Sequence, residues 1–464
     1  MEKTLRKSSV GTDLTNGPIL KALLIFAIPI VAANLIQQLY SMVDLIVVGQ
    51  FVGMAGSIGV NTGGEIADFM APVAMSFATA GQIYIAQLFG AREESKIRKS
   101  VGTLLTFTLL LSIVLAVAAI LFTDPILRLL NCQEIGFRQA QSYMIITALG
   151  YPFIFGYNAV CGILRGMGES KRPLLFIIIA AIVNIFFDIF LVAIFDLGAA
   201  GTAIATVFSQ IGSFAAAFIF MWKKREKFGF ELKLSYFKMD KAMLWIIIKL
   251  AVPQVVRSMF VRFSLMWCNA QANSFGPVES TTNGIGNKLQ KFLEVFIQGV
   301  DTASAAMIGQ NLGAKKPDRA RKVVWCTLES TLIFACVISI ICAIWPERIF
   351  GLFIGSGEAA MAEIEACGAI YLRIMIVHFF SSSLVGAFQS MVTGSGFVSL
   401  GFGIGVLDGV ICKVGLSLIF MYVFHLGFFG LVWGVACSRV LPAVLCAGYF
   451  FSGKWRTRKL LTEK

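Results

Sequence analysis

Charge is scarce in this chain: only 14% of its 464 residues are Asp, Glu, Lys or Arg, against about a quarter in a soluble domain. Histidine is scarcer still. His378 and His425 are the only two, and they lie too far apart to form the i, i+4 pair of a helical metal site. The ten cysteines are scattered with no C-x-x-C pair, and only Cys132 falls in an expected outer loop, which argues against a disulfide framework or a zinc site. No G-x-x-x-x-G-K-[ST] motif occurs, and the Gly-rich stretches near 63–64 and 401–405 are not phosphate loops. ATP is therefore not indicated as the energy source. With neither a metal-binding set nor a nucleophile–base pair, an enzyme is not expected, and no organic cofactor is required.

What is abundant is apolar sequence. Hydrophobic residues make up 57% and the mean hydropathy is +0.81. Apolar runs of about 20 residues recur, the length that crosses a bilayer as a helix. Twelve spans are predicted, at 18–48, 58–88, 101–122, 139–164, 173–195, 198–222, 244–272, 283–310, 323–345, 364–390, 397–424 and 427–451. The polar start, MEKTLRKSSVGTDLTNG, and the length of the first run predict no cleaved leader.

The net charge of +13 would suggest nucleic acid in a soluble protein, but here its distribution reads as topology. Of 39 Lys and Arg residues, 28 lie in the N-terminal segment, the even-numbered loops and the tail, whereas the opposite loops hold only Arg128, Arg138 and Arg348. Both termini are expected on the cytoplasmic side of the inner membrane. No nucleic-acid partner is expected; membrane lipid and a small-molecule substrate are, and the chain is expected to act as a monomer.

The halves repeat. Phe26-Ala27-Ile28-Pro29 matches Leu250-Ala251-Val252-Pro253, Ile85–Ala91 matches Ile308–Ala314, and Leu197–Gly201 matches Leu426–Gly430, all in register. Six spans return the chain to its starting side, so the repeats are parallel. The expected fold is an all-α membrane protein with twelve transmembrane helices in two pseudo-symmetric six-helix bundles around a V-shaped central cleft. The expected organisation is a cytoplasmic segment at 1–17, bundles at 18–222 and 244–451, a cytoplasmic linker at 223–243 and a cytoplasmic tail at 452–464.

Asp44 and Asp188 stand in apolar surroundings, where a carboxylate can exchange a proton or bind Na⁺ among neutral oxygens. Asn184 shares a helix face with Asp188, and Tyr40 with Asp44, each at i, i+4. Thr206 can add another oxygen. Span 2 carries a polar stripe that includes Glu65 and Asp68. Span 8 carries Lys288, Lys291, Glu294 and Asp301. The repeat maps Glu65 onto Lys288 and Asp68 onto Lys291, so an acid–base gate at the outer ends of these spans is expected. The alternative is a local Lys291–Glu294 pair at i, i+3. His378, Arg373 and Asp408 are expected to be structural ion-pair partners.

Tyr40–Asp44 with Gly49 and Gly53, Gln87 with Gly90-Ala91, Arg165–Gly168, Asn184–Asp188 and Gln310–Ala314 together resemble the MATE (multidrug and toxic compound extrusion) family, most closely its DinF-like branch. The resemblance covers nearly the whole chain. It implies a secondary active exporter that exchanges H⁺ or Na⁺ for small organic, amphiphilic cations by alternating access. It also implies that Asp44, Asn184, Asp188 and Thr206 form the cation-coupling site with Tyr40 and Asn158 beside it, and Lys413 resembles the family's basic residue in span 11. Together with Gln37 and with Glu294 and Asp301 of the span 8 stripe, Tyr40, Asn158 and Lys413 are the expected substrate and cleft residues. In span 7, where another branch carries an acidic residue, this chain has Arg257 and Arg262. A lipid-linked or polyprenyl-phosphate flippase of the same superfamily is the alternative, kept open by the basic residues of spans 7 and 8 with Lys413.

Overall fold

The computed structural model describes residues 11–224, 238–353 and 361–463, all helix and connecting turns. Among the described residues, ten helices are long and apolar enough to cross a membrane. They include α1 (Ile19–Phe51), α2 (Gly53–Ala91) and α3 (Glu94–Leu121). A short α4 (Thr123–Leu129) precedes α5 (Glu134–Leu149) and α6 (Tyr151–Gly166), which together make one span bent by 44°. Sequence periodicity predicts a single straight span there. Pro152 breaks it: proline has no N–H to donate into the preceding turn and its ring clashes with it, so the chain stops at Gly150 and restarts.

The fifth span is α7 (Lys171–Asp188), prolonged by a π-helical turn, Ile189–Ile194, and the sixth is α8 (Gly198–Lys223). Next come α9 (Lys241–Phe275) and α10 (Pro277–Gly313). With 37 residues α10 is long enough to span, but its Lys288, Lys291, Glu294 and Asp301 keep it too polar to qualify by hydropathy alone. A helix of that polarity needs protein or water beside it. The rest is α11 (Pro317–Ile344), short α12 (Pro346–Gly351), α13 (Met361–Gly394), α14 (Val398–Val406), α15 (Gly427–Cys437) and α16 (Val440–Phe451). The eleventh span continues from α14 through π-helical stretches at Leu407–Gly415 and Ile419–Val423. The twelfth is made of α15 and α16.

The chain divides into two compact units. One holds Ile28–Val252, and the other holds Asn16–Ala27 with Pro253–Lys464. The dividing points fall at the repeat-related motifs that end in Pro29 and Pro253, both inside helices. The first turns of α1 thus belong to the C-terminal unit, where Arg319 donates to the Gly17 and Asn16 carbonyls at 2.8 and 2.9 Å. The start of α9 belongs to the N-terminal unit, where the Asp240 N–H donates to Thr103 Oγ1 at 3.1 Å.

Inside each unit the helices pair in the same order. In the first, α2 packs on α5 and α6, α3 on α6, and α7 on α8; in the second, α10 packs on α13, α11 on α13, and the π-helical stretches that follow α14 on α15. In lipid, helices associate through close van der Waals contact, which favours small residues. Gly166 meets the Gln82 carbonyl where a Cβ would lie 2.8 Å away, and Gly394 meets the Ala305 carbonyl at 2.9 Å. The two contacts are repeat-related, so the sequence duplication is a duplication of packing.

Candidate coupling and substrate sites

In the N-terminal unit, Asn184 and Asp188 are 2% and 0% exposed. They sit one turn apart at the end of α7, where regular helix gives way to the π-helical turn. Such turns widen the helix locally and recur at functional sites. Among the described residues Asn184 Oδ1 accepts no hydrogen bond, leaving a buried oxygen beside a buried carboxylate. Thr206 is half-buried on α8, the helix that packs against α7. One turn before it, Thr202 is fully buried, and among the described residues its Oγ1 has no partner. The oxygen-rich character of spans 5 and 6 is thus wider than the sequence suggests. Asp44 belongs to α1, but its side chain lies outside the described part of the structure. Tyr40 and Asn158 are half-buried and Gln37 is exposed. Asn158 Nδ2 donates at 2.8 Å to the Ile154 carbonyl of its own helix.

The C-terminal unit holds a charge cluster that no spacing argument links. Glu294 Oε1 accepts from Arg439 at 3.1 Å and lies 2.7 Å from His378 Nε2. Gln290 Nε2 donates to the same carboxylate oxygen at 3.1 Å. Arg439, at the junction of α15 and α16, also donates to Ser382 Oγ at 2.8 Å. His378 is fully buried and Glu294 nearly so. Glu294 is therefore paired across spans rather than with Lys291 on its own helix. Arg439 could not be given a partner from the sequence because Glu294 and Ser382 come from α10 and α13; Gln290 lies one turn before Glu294 on α10, at a spacing the sequence does carry. A cation inside an apolar span, which must find a counter-charge, is the signal that points to Arg439.

Asp301 lies on α10 under the charge of Arg257, which donates to Gln389 at 3.2 Å. Asp408 and Lys413 are both buried in the π-helical stretch of the eleventh span, the counterpart of the turn that follows Asp188. Arg373 is exposed and meets Glu347 at 3.8 Å, a surface pair of little energetic weight. Lys288 and Lys291 are exposed and border a cavity of ≈ 390 Å³ with Asn269, Asn273, Asn283 and Asn287. Both Asn283 and Asn287 donate to Asn269 Oδ1 at 2.9 Å. Glu65 and Asp68 are exposed on α2.

Among the described residues no three His, Cys, Asp or Glu converge on a point that could hold a metal ion. The family model described as MatE matches residues 29–190 and again 253–425, one segment in each half. The chain belongs to the MatE family. It is a multi-pass integral membrane protein. Among similar proteins, the probable multidrug resistance protein YoeA of Bacillus subtilis (strain 168) is 25% identical, with 93% of each chain covered. The multidrug export protein MepA of Staphylococcus aureus (strain MRSA252) is 21% identical over 92% of each. The fold matches a crystal structure of MATE in complex with MaL6 with a TM-score of 0.90 at 18% identity, covering 98% of this chain and all of that one. A MOP superfamily transporter from Pyrococcus furiosus, described as having a binding pocket of reversed polarity, matches with a TM-score of 0.90 at 19% identity. That match covers 97% of this MatE chain and 100% of the archaeal one.

Proposed function

We propose that this MatE protein is a secondary active multidrug exporter of the inner membrane, exchanging H⁺ or Na⁺ for small organic cations by alternating access. The observation that carries the coupling is the buried Asn184–Asp188 pair beside the π-helical turn of span 5. A carboxylate is costly inside a membrane and is retained where it binds an ion. Asp44, Thr206 and the two α7 residues form the coupling site in this reading, which is that of the DinF-like branch. Gln37, Tyr40, Asn158, Asp301, Glu294 and Lys413 surround the solute path. The excess of Lys and Arg in the even-numbered loops and at both ends supports cytoplasmic termini. The protein works as a monomer and needs only the coupling ion.

The flippase alternative is set aside. The relatives are named for multidrug resistance and export.

Everted vesicles containing the protein are expected to accumulate ethidium when an outward gradient of the coupling ion is imposed from the lumen. Imposing a proton gradient and a Na⁺ gradient separately identifies the ion. Ethidium movement that ignores both gradients overturns the exchange mechanism.

Glu65 and Asp68 with Lys288 and Lys291 form, in the same proposal, an acid–base gate shared by the two halves. Asp68→Lys and Lys291→Asp are each expected to lower export several-fold, and the double swap to restore most of it. A double variant no better than the singles removes the pairing.

A further inference from the structure

The coupling reading uses the N-terminal unit and leaves His378 and Arg439, the two partners of Glu294, without a task. His378 is 0% exposed. Its Nε2 is tied to Glu294 at 2.7 Å, with Gln290 Nε2 at 3.0 Å. Among the described residues its Nδ1 has no hydrogen-bond partner. A neutral imidazole that donates from Nε2 keeps a lone pair on Nδ1, so the ring presents one vacant proton-accepting atom inside the membrane-spanning part of the protein. A structural histidine in a dry core ordinarily has both nitrogens satisfied. The carboxylate already at Nε2 supplies the counter-charge that a buried imidazolium requires.

Cations and one carboxylate surround the ring. The eleventh span contributes Lys413 and Asp408, both buried, and the twelfth contributes Arg439. On the cluster's own helices, α10 also carries Gln290, Lys288, Lys291 and Asp301, and α13 carries the Tyr371 hydroxyl, Arg373 and Ser382, which accepts from Arg439; α9 adds the Cys268 thiol. Helix α11 packs on α13 but leaves Glu329 exposed, α12 engages its Glu347 with Arg373, and α15 carries no charge. With the ring neutral, Glu294 is paired with Arg439 at 3.1 Å, and Lys413 adds a further cation that acts on the ring. One added proton leaves two cations sharing the Glu294 carboxylate.

We propose that His378 Nδ1 is a second proton-binding site, in the C-terminal unit, at which the protonated ring competes with Arg439 for Glu294. Arg439 sits where the twelfth span is interrupted between α15 and α16, so weakening its hold on Glu294 frees a break in that helix. The proton enters as H⁺ on Nδ1 and leaves by the same atom; no bond to substrate forms. The site goes beyond the N-terminal coupling reading and does not depend on it.

The chain has only two histidines, and His425 is exposed with φ 53, a conformation that asparagine tolerates. His425→Asn therefore leaves a single imidazole in an otherwise intact protein. ¹⁵N spectra of that variant in detergent are expected to show a one-proton step at Nδ1 between about pH 5 and 8, absent in His425→Asn/Glu294→Gln. A ring that stays neutral throughout overturns the site. In everted vesicles, His378→Gln retains an N–H donor toward Glu294 but cannot take a proton, and is expected to flatten the pH dependence of ethidium export over the same window. A pH dependence identical to that of the parent overturns the proposal. The Nδ1 step is expected to persist in Asp188→Asn, so failure of the N-terminal coupling site and failure of this one are read independently.

Discussion

Asp188→Asn is expected to abolish gradient-driven export while leaving the protein folded. The amide matches the carboxylate in size, so the buried end of α7 keeps its packing, but it can neither accept a proton nor neutralise Na⁺. One charge moved through 100 mV supplies about 2.3 kcal/mol, equivalent to a roughly 50-fold concentration ratio. Loss of one coupled charge should therefore lower the steady-state ethidium ratio in energised everted vesicles by that order, with passive exchange of ethidium continuing. Asp44→Asn is expected to behave alike, because both acids belong to the proposed site. An Asp188→Asn protein that still builds the parental gradient refutes the coupling assignment.

The largest stability effect is expected in the other half. Arg439→Met removes the permanent cation from a carboxylate that is 13% exposed, leaving Glu294 with only His378 and the Gln290 amide. Breaking one side of a buried ion pair costs about 3–5 kcal/mol, whereas replacing both charges by well-fitting neutral groups is often close to neutral. Thermal unfolding in detergent should therefore show a marked drop for Arg439→Met. Arg439→Met/Glu294→Gln should recover most of the loss, a coupling that a double-mutant cycle measures directly. Equal stability of the single variant and the parent would mean that the pair carries no weight in the C-terminal unit.

The spans were legible because the bilayer imposes one requirement, that about 20 residues satisfy their backbone internally and their side chains in hydrocarbon. The bend at Gly150 was not, although Pro152 that causes it stands in the sequence. Hydropathy averages over a window, and tolerance of proline in a membrane helix depends on what neighbouring helices offer the freed backbone groups. The starts of α3, α10 and α11 lie about six residues ahead of the apolar runs, because helix continues into water wherever polar residues permit it.

Asn184 and Asp188 were readable as a unit because they lie i, i+4 on one helix, a spacing the chain itself carries. Glu294, His378 and Arg439 were not, since they meet from α10, α13 and the start of α16, and 145 positions separate the first from the last. By itself the sequence determined the membrane class, the twelve traverses and the duplication, all of which follow from local hydropathy and internal identity. Only the tertiary structure decided which buried charges cancel one another. Ion pairing in a low-dielectric interior depends on distances of about 3 Å between spans, and no one-dimensional pattern encodes them.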